Sequence, residues 1–161
     1  MPIRLLIVDD EASVLEVLTS MLEPLGSKVV AEVDGQKAAH YLDTQKFDGI
    51  IVDAHMPPPD GFELIRRARA SSLNSKAPIL LLTGSDDADT MREGFKAGAT
   101  CFLGKPLPLE QLHKLLNTLR AASLMERRHS ARLPLQTKVT SSLSQIRVEL
   151  YLPSAKAGFC D

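Results

Sequence analysis

Apolar runs of strand length recur through the first 123 residues, at Ile3–Val8, Val29–Val33, Gly49–Val52, Ile79–Leu82 and Cys101–Leu103. Several are apolar without a break, the pattern of strands covered on both faces of a parallel sheet. Between them, segments of helical period run over Ala12–Leu25, Gln36–Gln45, Gly61–Ser72, Asp87–Ala97 and Leu109–Ala122. The first places Val14, Leu15, Leu18, Met21, Leu22 and Leu25 on one stripe, and the last does the same with Leu112, Leu115, Leu116 and Leu119. Five strand–helix pairs in about 120 residues predict an α/β fold built on a doubly wound, five-stranded parallel sheet. After Ser123 the period shortens to two. Leu133, Leu135, Thr137 and Val139 alternate with polar neighbours, as do Ile146, Val148, Leu150 and Leu152, with TSSLSQ between them. A short C-terminal β segment is predicted there; an isolated hairpin is marginal in water, so it calls for a partner surface.

Composition narrows the function classes. The chain has 161 residues, 44% of them hydrophobic, which supplies a packed core and excludes global disorder. Lys+Arg 19 against Asp+Glu 20 gives a net charge of −1, so no whole-protein field draws nucleic acid or anionic membrane. The balance is uneven: residues 1–123 hold 13 basic and 17 acidic side chains, residues 124–161 hold 6 and 3. Two cysteines, Cys101 and Cys160, make neither a disulfide framework nor a zinc cluster, and Cys101 is expected as a small buried apolar residue. His40, His113 and His129 lack metal-ligand spacing, and the methionines form no cofactor stripe. MPIRLLIVDDE is too short and too acidic for a signal peptide, and no run approaches the roughly 20 apolar residues of a membrane span. A cytoplasmic location with no membrane partner is expected.

Open α/β sheets do their chemistry at the carboxyl ends of the strands. Here the first strand runs into Asp9 and Asp10, the third into Asp53, the fourth into Thr83 and the fifth into Lys105. Any one acid could be a helix cap, and Asp10 is placed to cap the first helix. Five polar groups at four separate strand ends fit caps poorly. Clustered carboxylates raise one another's pKa unless a cation joins them, and a magnesium-type ion suits hard oxygen ligands. With that charge neutralised, one carboxylate can attack a phosphoryl group while the lysine and threonine bind its oxygens.

LLIVDDE at 5–11, IIVDAHMPPPDG at 50–61, LLLTG at 80–84 and FLGKP at 102–106 occur in the order and spacing of a known family. Residues 1–122 resemble the flavodoxin-like receiver domain of bacterial two-component response regulators. The resemblance implies that Asp53 accepts a phosphoryl group from a histidine kinase or phosphotransfer protein. It implies Mg²⁺ held by Asp9, Asp10, Asp53 and the backbone carbonyl of His55. Thr83 would bind the phosphoryl group and move with it, Lys105 would pair with its oxygen, and Phe102 would be the switch aromatic coupled to Thr83. Lacking a hydroxyl, Phe102 should prefer the inward state. The Lys105–Pro106 bond is expected cis. The implied output is a changed fourth-helix, fifth-strand, fifth-helix face, with homo-oligomerisation through it or through the C-terminal β segment. A receiver would be a switch rather than an enzyme, catalysing only its own phosphorylation and dephosphorylation. The side chain of His55, two residues past Asp53, is either a solvent-facing loop residue or a group that orients or excludes water.

Residues 123–132 read as a linker or helix end with a basic RxxxR, within the run ERRHSARLP at 126–134, and 133–161 as a partial β segment. This stretch resembles the opening of a PilZ domain, whose RxxxR motif binds cyclic di-GMP; Arg128 and Arg132 fill the motif, with Arg127 before it. Guanidiniums suit the task, since they grip phosphate bidentately and stack on guanine. The family's second motif would fall at Leu152–Ala157, where only Ser154 matches, and the six-stranded barrel is incomplete. The same arginines also suit a solvated helix C-terminus. Two alternatives stand beside the receiver reading: a cyclic di-GMP-binding module with the receiver as scaffold, and a Mg²⁺-dependent phosphatase of the haloacid-dehalogenase type. The second lacks the Asp-x-Asp motif, because Glu11 follows Asp9 at the second position, and no acid pair follows Lys105. DNA contact is not expected: no helix-turn-helix pattern follows, and three neighbouring arginines leave a small electrostatic footprint.

Overall fold

A computed structural model describes residues 2–84, 88–105, 110–114 and 116–121. Within them, β1 (Ile3–Val8), β2 (Ser27–Glu32), β3 (Gly49–Asp53), β4 (Ile79–Thr83) and β5 (Cys101–Gly104) form one parallel sheet in the order β2-β1-β3-β4-β5. The helices are α1 (Ala12–Leu22), α2 (Gly35–Thr44), α3 (Gly61–Ala70) and α4 (Ala88–Ala97), with α5 helical at 110–114 and 116–121. This is the doubly wound, flavodoxin-like architecture expected. The chain turns to opposite sides of β1 when it places β2 and β3, and that reversal leaves a crevice over the carboxyl ends of β1 and β3.

Two cores follow from strand alternation. Leu6, Val8, Ile50, Val52, Ile79, Leu81 and Phe102 face the cluster that buries Ala38 and Leu42 of α2, Leu64 and Ile65 of α3, and Met91 of α4. Ile3, Leu5, Ile7, Ile51, Leu80, Leu82, Cys101 and Leu103 face Leu15, Leu18 and Leu22 of α1 and Leu112, Leu116 and Leu119 of α5. Both faces are covered, which is why the runs are unbroken.

Boundaries differ from expectation for physical reasons. The first helix stops at Leu22 and tightens into a 3-10 turn at Glu23–Leu25, where Pro24 cannot donate to the α ladder and Gly26 takes a left-handed φ of 84°. β2 starts at Ser27, earlier than its apolar run, with Ser27 buried and Lys28 exposed, both paired with β1; it ends at Glu32, leaving Val33 about half exposed. Three strands run one residue past the apolar stretch, into Asp53, Thr83 and Gly104. α3 ends at Ala70, where Ser71 turns extended and donates its N–H to Arg67 and Ala68 carbonyls. Asp10 does not take the capping role considered for it: Glu11 stands at the N-cap of α1 with no side-chain capping bond, and its own N–H donates to the Asp9 carboxylate at 2.9 Å.

Pro106 lies outside the described residues, and so does the cis bond expected before it; among the described residues Pro58–Pro59 is cis. The C-terminal β segment, Arg128 and Arg132 likewise lie outside them. No described helix is long and apolar enough to cross a membrane. Cys101 is buried as expected, and burial pushes its thiol up to about 12.

One polar residue in the long 71–78 connection closes the end of the sheet away from the crevice. Asn74 is fully buried; its Oδ1 accepts the Phe47 N–H at 2.8 Å and its Nδ2 donates to the Leu42 and Gln45 carbonyls, each at 2.8 Å. Replacing it with alanine strands three backbone groups inside the protein. Asn74→Ala should therefore lower stability by about 2–3 kcal/mol in urea unfolding, with no change in the slope of the transition.

Candidate functional site at the carboxyl ends of the strands

Where each apolar run ends, the next residue is held at the rim by sheet hydrogen bonding. The Asp9 N–H donates to the Glu32 carbonyl (3.2 Å), the Ala54 N–H after Asp53 to the Leu82 carbonyl (2.8 Å), and the Lys105 N–H to the Thr83 carbonyl (2.9 Å). These bonds bring the side chains of Asp9, Asp53, Thr83 and Lys105 to one edge. Asp9, Asp53 and Thr83 are buried, while Asp10 and Glu11 are exposed. One carboxylate oxygen from each of Asp9, Asp10 and Asp53 can be chosen so that all three lie within 4.8 Å of one another.

The lysine ties the cluster together. Its Nζ lies 2.8 Å from Asp9 Oδ2, 3.4 Å from Asp53 Oδ1 and 3.5 Å from Glu11 Oε1. Three carboxylates thus surround the Lys105 ammonium. The closest of these is the ion pair with the buried Asp9. Burial raises the Asp53 pKa above the usual carboxylate value, helped by the Asp9 charge and opposed by Lys105. Burial pulls the Lys105 ammonium down, but the carboxylates of Asp9 and Asp53 outweigh it and hold its pKa above the ordinary lysine value.

This arrangement fits a hard divalent cation. Three carboxylate oxygens converge from two strand ends, two of them on buried residues, which is the hard-oxygen donor set such an ion takes.

Close packing aims Asp53. The first residue of α3 lies so near the end of β3 that a Cβ on Gly61 would sit 2.1 Å from the Asp53 carbonyl oxygen. The preceding Asp60 caps α3, its Oδ1 accepting the Glu63 N–H at 2.9 Å. Glycine is what lets the helix start there. His55 is exposed, as one of its two expected roles required, and its ring meets Phe62 edge-on, 6.3 Å between centroids. Phe102 is inward, 1% exposed, against Phe95 of α4.

The expected residues Asp9, Asp10, Asp53 and Lys105 therefore meet, with Thr83 at the end of the neighbouring strand. Sequence reasoning missed the contact of Glu11 with Lys105, although its signal was a third acid in the same DDE run. It also missed the Gly61 approach, signalled by the Asp-Gly pair at the start of a helix.

Comparison with known proteins agrees with this geometry. The model of the response regulator receiver domain family matches residues 5–117. Response regulator MprA of Mycolicibacterium vanbaalenii is 38% identical over 112 residues, 70% of this chain and 48% of that protein. The chain spans about half the length of the curated relatives it matches. The chemotaxis response regulator CheY4 of Vibrio cholerae is 34% identical, with a TM-score of 0.69 over 74% of this chain and 99% of that one. The receiver domain of the Pseudomonas aeruginosa sensor histidine kinase PA1611 was solved with a magnesium ion coordinated in its active-site cleft. It is 28% identical, with a TM-score of 0.67 over 72% of this chain and 95% of that one. The matched residues stop before Arg128 and Arg132, and none of these likenesses extends to a PilZ segment.

The raised pKa of Asp53 has a sign that can be measured. Between its ordinary value in the unfolded chain and its higher folded value, the folded state keeps a proton that the unfolded state has lost. Stability then falls as pH rises through that window, and the loss persists above it. Without divalent metal, Asp53→Asn should be more stable than the wild type at neutral pH. The two stabilities should converge as pH falls below the ordinary carboxylate range, measured by urea unfolding in EDTA.

Proposed function

Because the chain belongs to the response regulator receiver domain family, we propose that its strand-end cluster is a phosphoryl-accepting centre with Asp53 as the nucleophile. Receiver domains are signalling switches phosphorylated by histidine kinases or phosphotransfer proteins. That sets aside the phosphatase alternative. The observation that carries the assignment is the convergence of Asp9, Asp10 and Asp53 oxygens with the Lys105 ammonium at one rim.

Asp9, Asp10 and Asp53, with the backbone carbonyl of His55, would hold Mg²⁺. The ion, when bound, supplies the positive charge that offsets the carboxylates and anchors the incoming phosphoryl oxygens. The chain's own residues do the rest. An Asp53 oxygen attacks phosphorus, and the donor's imidazole leaves. Lys105, already 3.4 Å from Asp53, exchanges a carboxylate contact for a phosphoryl oxygen. The Thr83 hydroxyl, at the end of the neighbouring strand, binds the new phosphoryl group and carries its presence into the sheet. Phe102, on the α4 side of the sheet, follows the vacancy Thr83 leaves, and the face of α4, β5 and α5 changes its fit to partners or to a second copy. Hydrolysis at Asp53 by water resets the switch, with His55 standing at the mouth of the site.

Beryllofluoride, a phosphoryl mimic, should bind the full chain only with Mg²⁺ present. Asp53→Asn should bind none detectably, and Thr83→Ala should bind about ten-fold more weakly for the loss of one charge-assisted hydrogen bond. Calorimetric titration checks all three, and sedimentation of the wild type with and without the mimic reports whether assembly follows. Binding that survives Asp53→Asn removes that residue from its assigned role.

A further inference from the structure

We propose that Gly94 is a positioning residue of the switch: its missing side chain opens the slot in which Phe102 lies against β4, so that α4 senses the position of Thr83. The inference rests on the phosphoacceptor reading above and adds the helix residue through which the strand-end centre acts on α4.

Gly94 sits in the interior of α4, where glycine is a poor choice for helix formation. Its backbone does not require glycine, because its φ is not among the positive ones of the described residues. Space does require it. A Cβ at this position would stand 2.6 Å from Leu81 Cδ2, and 2.7 and 2.8 Å from Phe102 Cζ and Cε1. The Leu81 methyl is the end of a side chain that can turn away. The ring cannot give so easily: it is 1% exposed, and Phe95 closes on it edge-on with centroids 4.5 Å apart.

The slot is connected to the rim. Leu81 pairs with Phe102 across β4 and β5, and Thr83 pairs with Gly104. By strand alternation Ile79, Leu81 and Thr83 share the sheet face that α4 covers, which is also the face of Phe102. A ring forced out of the slot changes what packs beside Thr83. A close-packed interior responds to such a displacement by moving between discrete arrangements. Gly94 therefore sets how readily Phe102 occupies its inward place.

The test is a double-mutant cycle in the full chain: wild type, Gly94→Ala, Phe102→Leu and the double variant, each titrated with beryllofluoride and Mg²⁺ and unfolded in urea. Gly94→Ala should weaken mimic binding about ten-fold in the wild-type background and less than about two-fold when residue 102 is leucine, which lacks the far ring atoms. An equal loss in both backgrounds overturns the proposal, since a purely structural cost would not depend on the ring. Should Gly94→Ala fail to fold, the double variant is expected to regain cooperative unfolding; a double variant that also fails overturns it. A wild type that binds no mimic overturns the phosphoacceptor reading and the switch role with it, whereas a wild type that binds alongside an unchanged Gly94→Ala overturns the role of Gly94 alone.

Discussion

Charge imbalance at one rim is the constraint on which the molecule turns. Two buried carboxylates, Asp9 and Asp53, stand with the exposed Glu11 around the Lys105 ammonium, and the exposed Asp10 lies beside the two aspartates. Burial raises the pKa of Asp53, and the like charge of Asp9 beside it adds to that cost. Lys105 relieves part of it. On the proposed reading, the remaining deficit is what a cation and then a phosphoryl group would meet at this rim. A fully compensated cluster would be more stable and would have less to gain from either.

The imbalance can be tolerated because the sheet beneath it has little freedom. Each strand divides its residues between two cores, one under α2, α3 and α4 and the other under α1 and α5. A one-residue slip in any strand would carry its whole set to the wrong face, so register is tightly specified. The position of each rim residue is then set by where its apolar run stops. Asp9 follows Val8, Asp53 follows Val52, Thr83 follows Leu82, and Lys105 comes one residue after the last of β5. Asn74 secures the end away from the crevice by satisfying backbone groups of the α2–β3 connection, and Gly61 lets α3 begin directly against Asp53.

Much of this was legible in the chain itself. Apolar runs, several of them unbroken, identified all five strands, and the polar residues just past the first, third, fourth and fifth identified the rim, because a strand buried on both faces has no other place for a carboxylate. The edge strand was the least legible. Ser27 and Lys28 pair with β1 yet carry no apolar signal, and among the described residues β2 lies at the edge of the sheet. Helix ends were blurred where a local bond decided the matter, as at Glu11, whose N–H is taken by Asp9 rather than capped by Asp10. Contacts that depend on missing atoms left almost no trace. Nothing in the letters around Gly94 reveals that a ring eight residues later fills the space it leaves.

Those two glycines, Gly61 and Gly94, bear on how a rigid fold can also be a switch. Both lie in helices on the same side of the sheet, and at both a single methyl group would collide with something buried. At Gly61 the collision is with the backbone of Asp53, which cannot yield without moving the rim. At Gly94 it is with the tip of a phenylalanine ring, which can yield only by leaving its slot. The first clearance holds Asp53 still, and the second gives an aromatic residue one well-defined place to be. A transition between states needs both features: a fixed point at which the chemical event occurs, and a neighbour whose packing has discrete alternatives. In this chain each is supplied by the absence of a side chain, at the expense of helix propensity in α3 and α4.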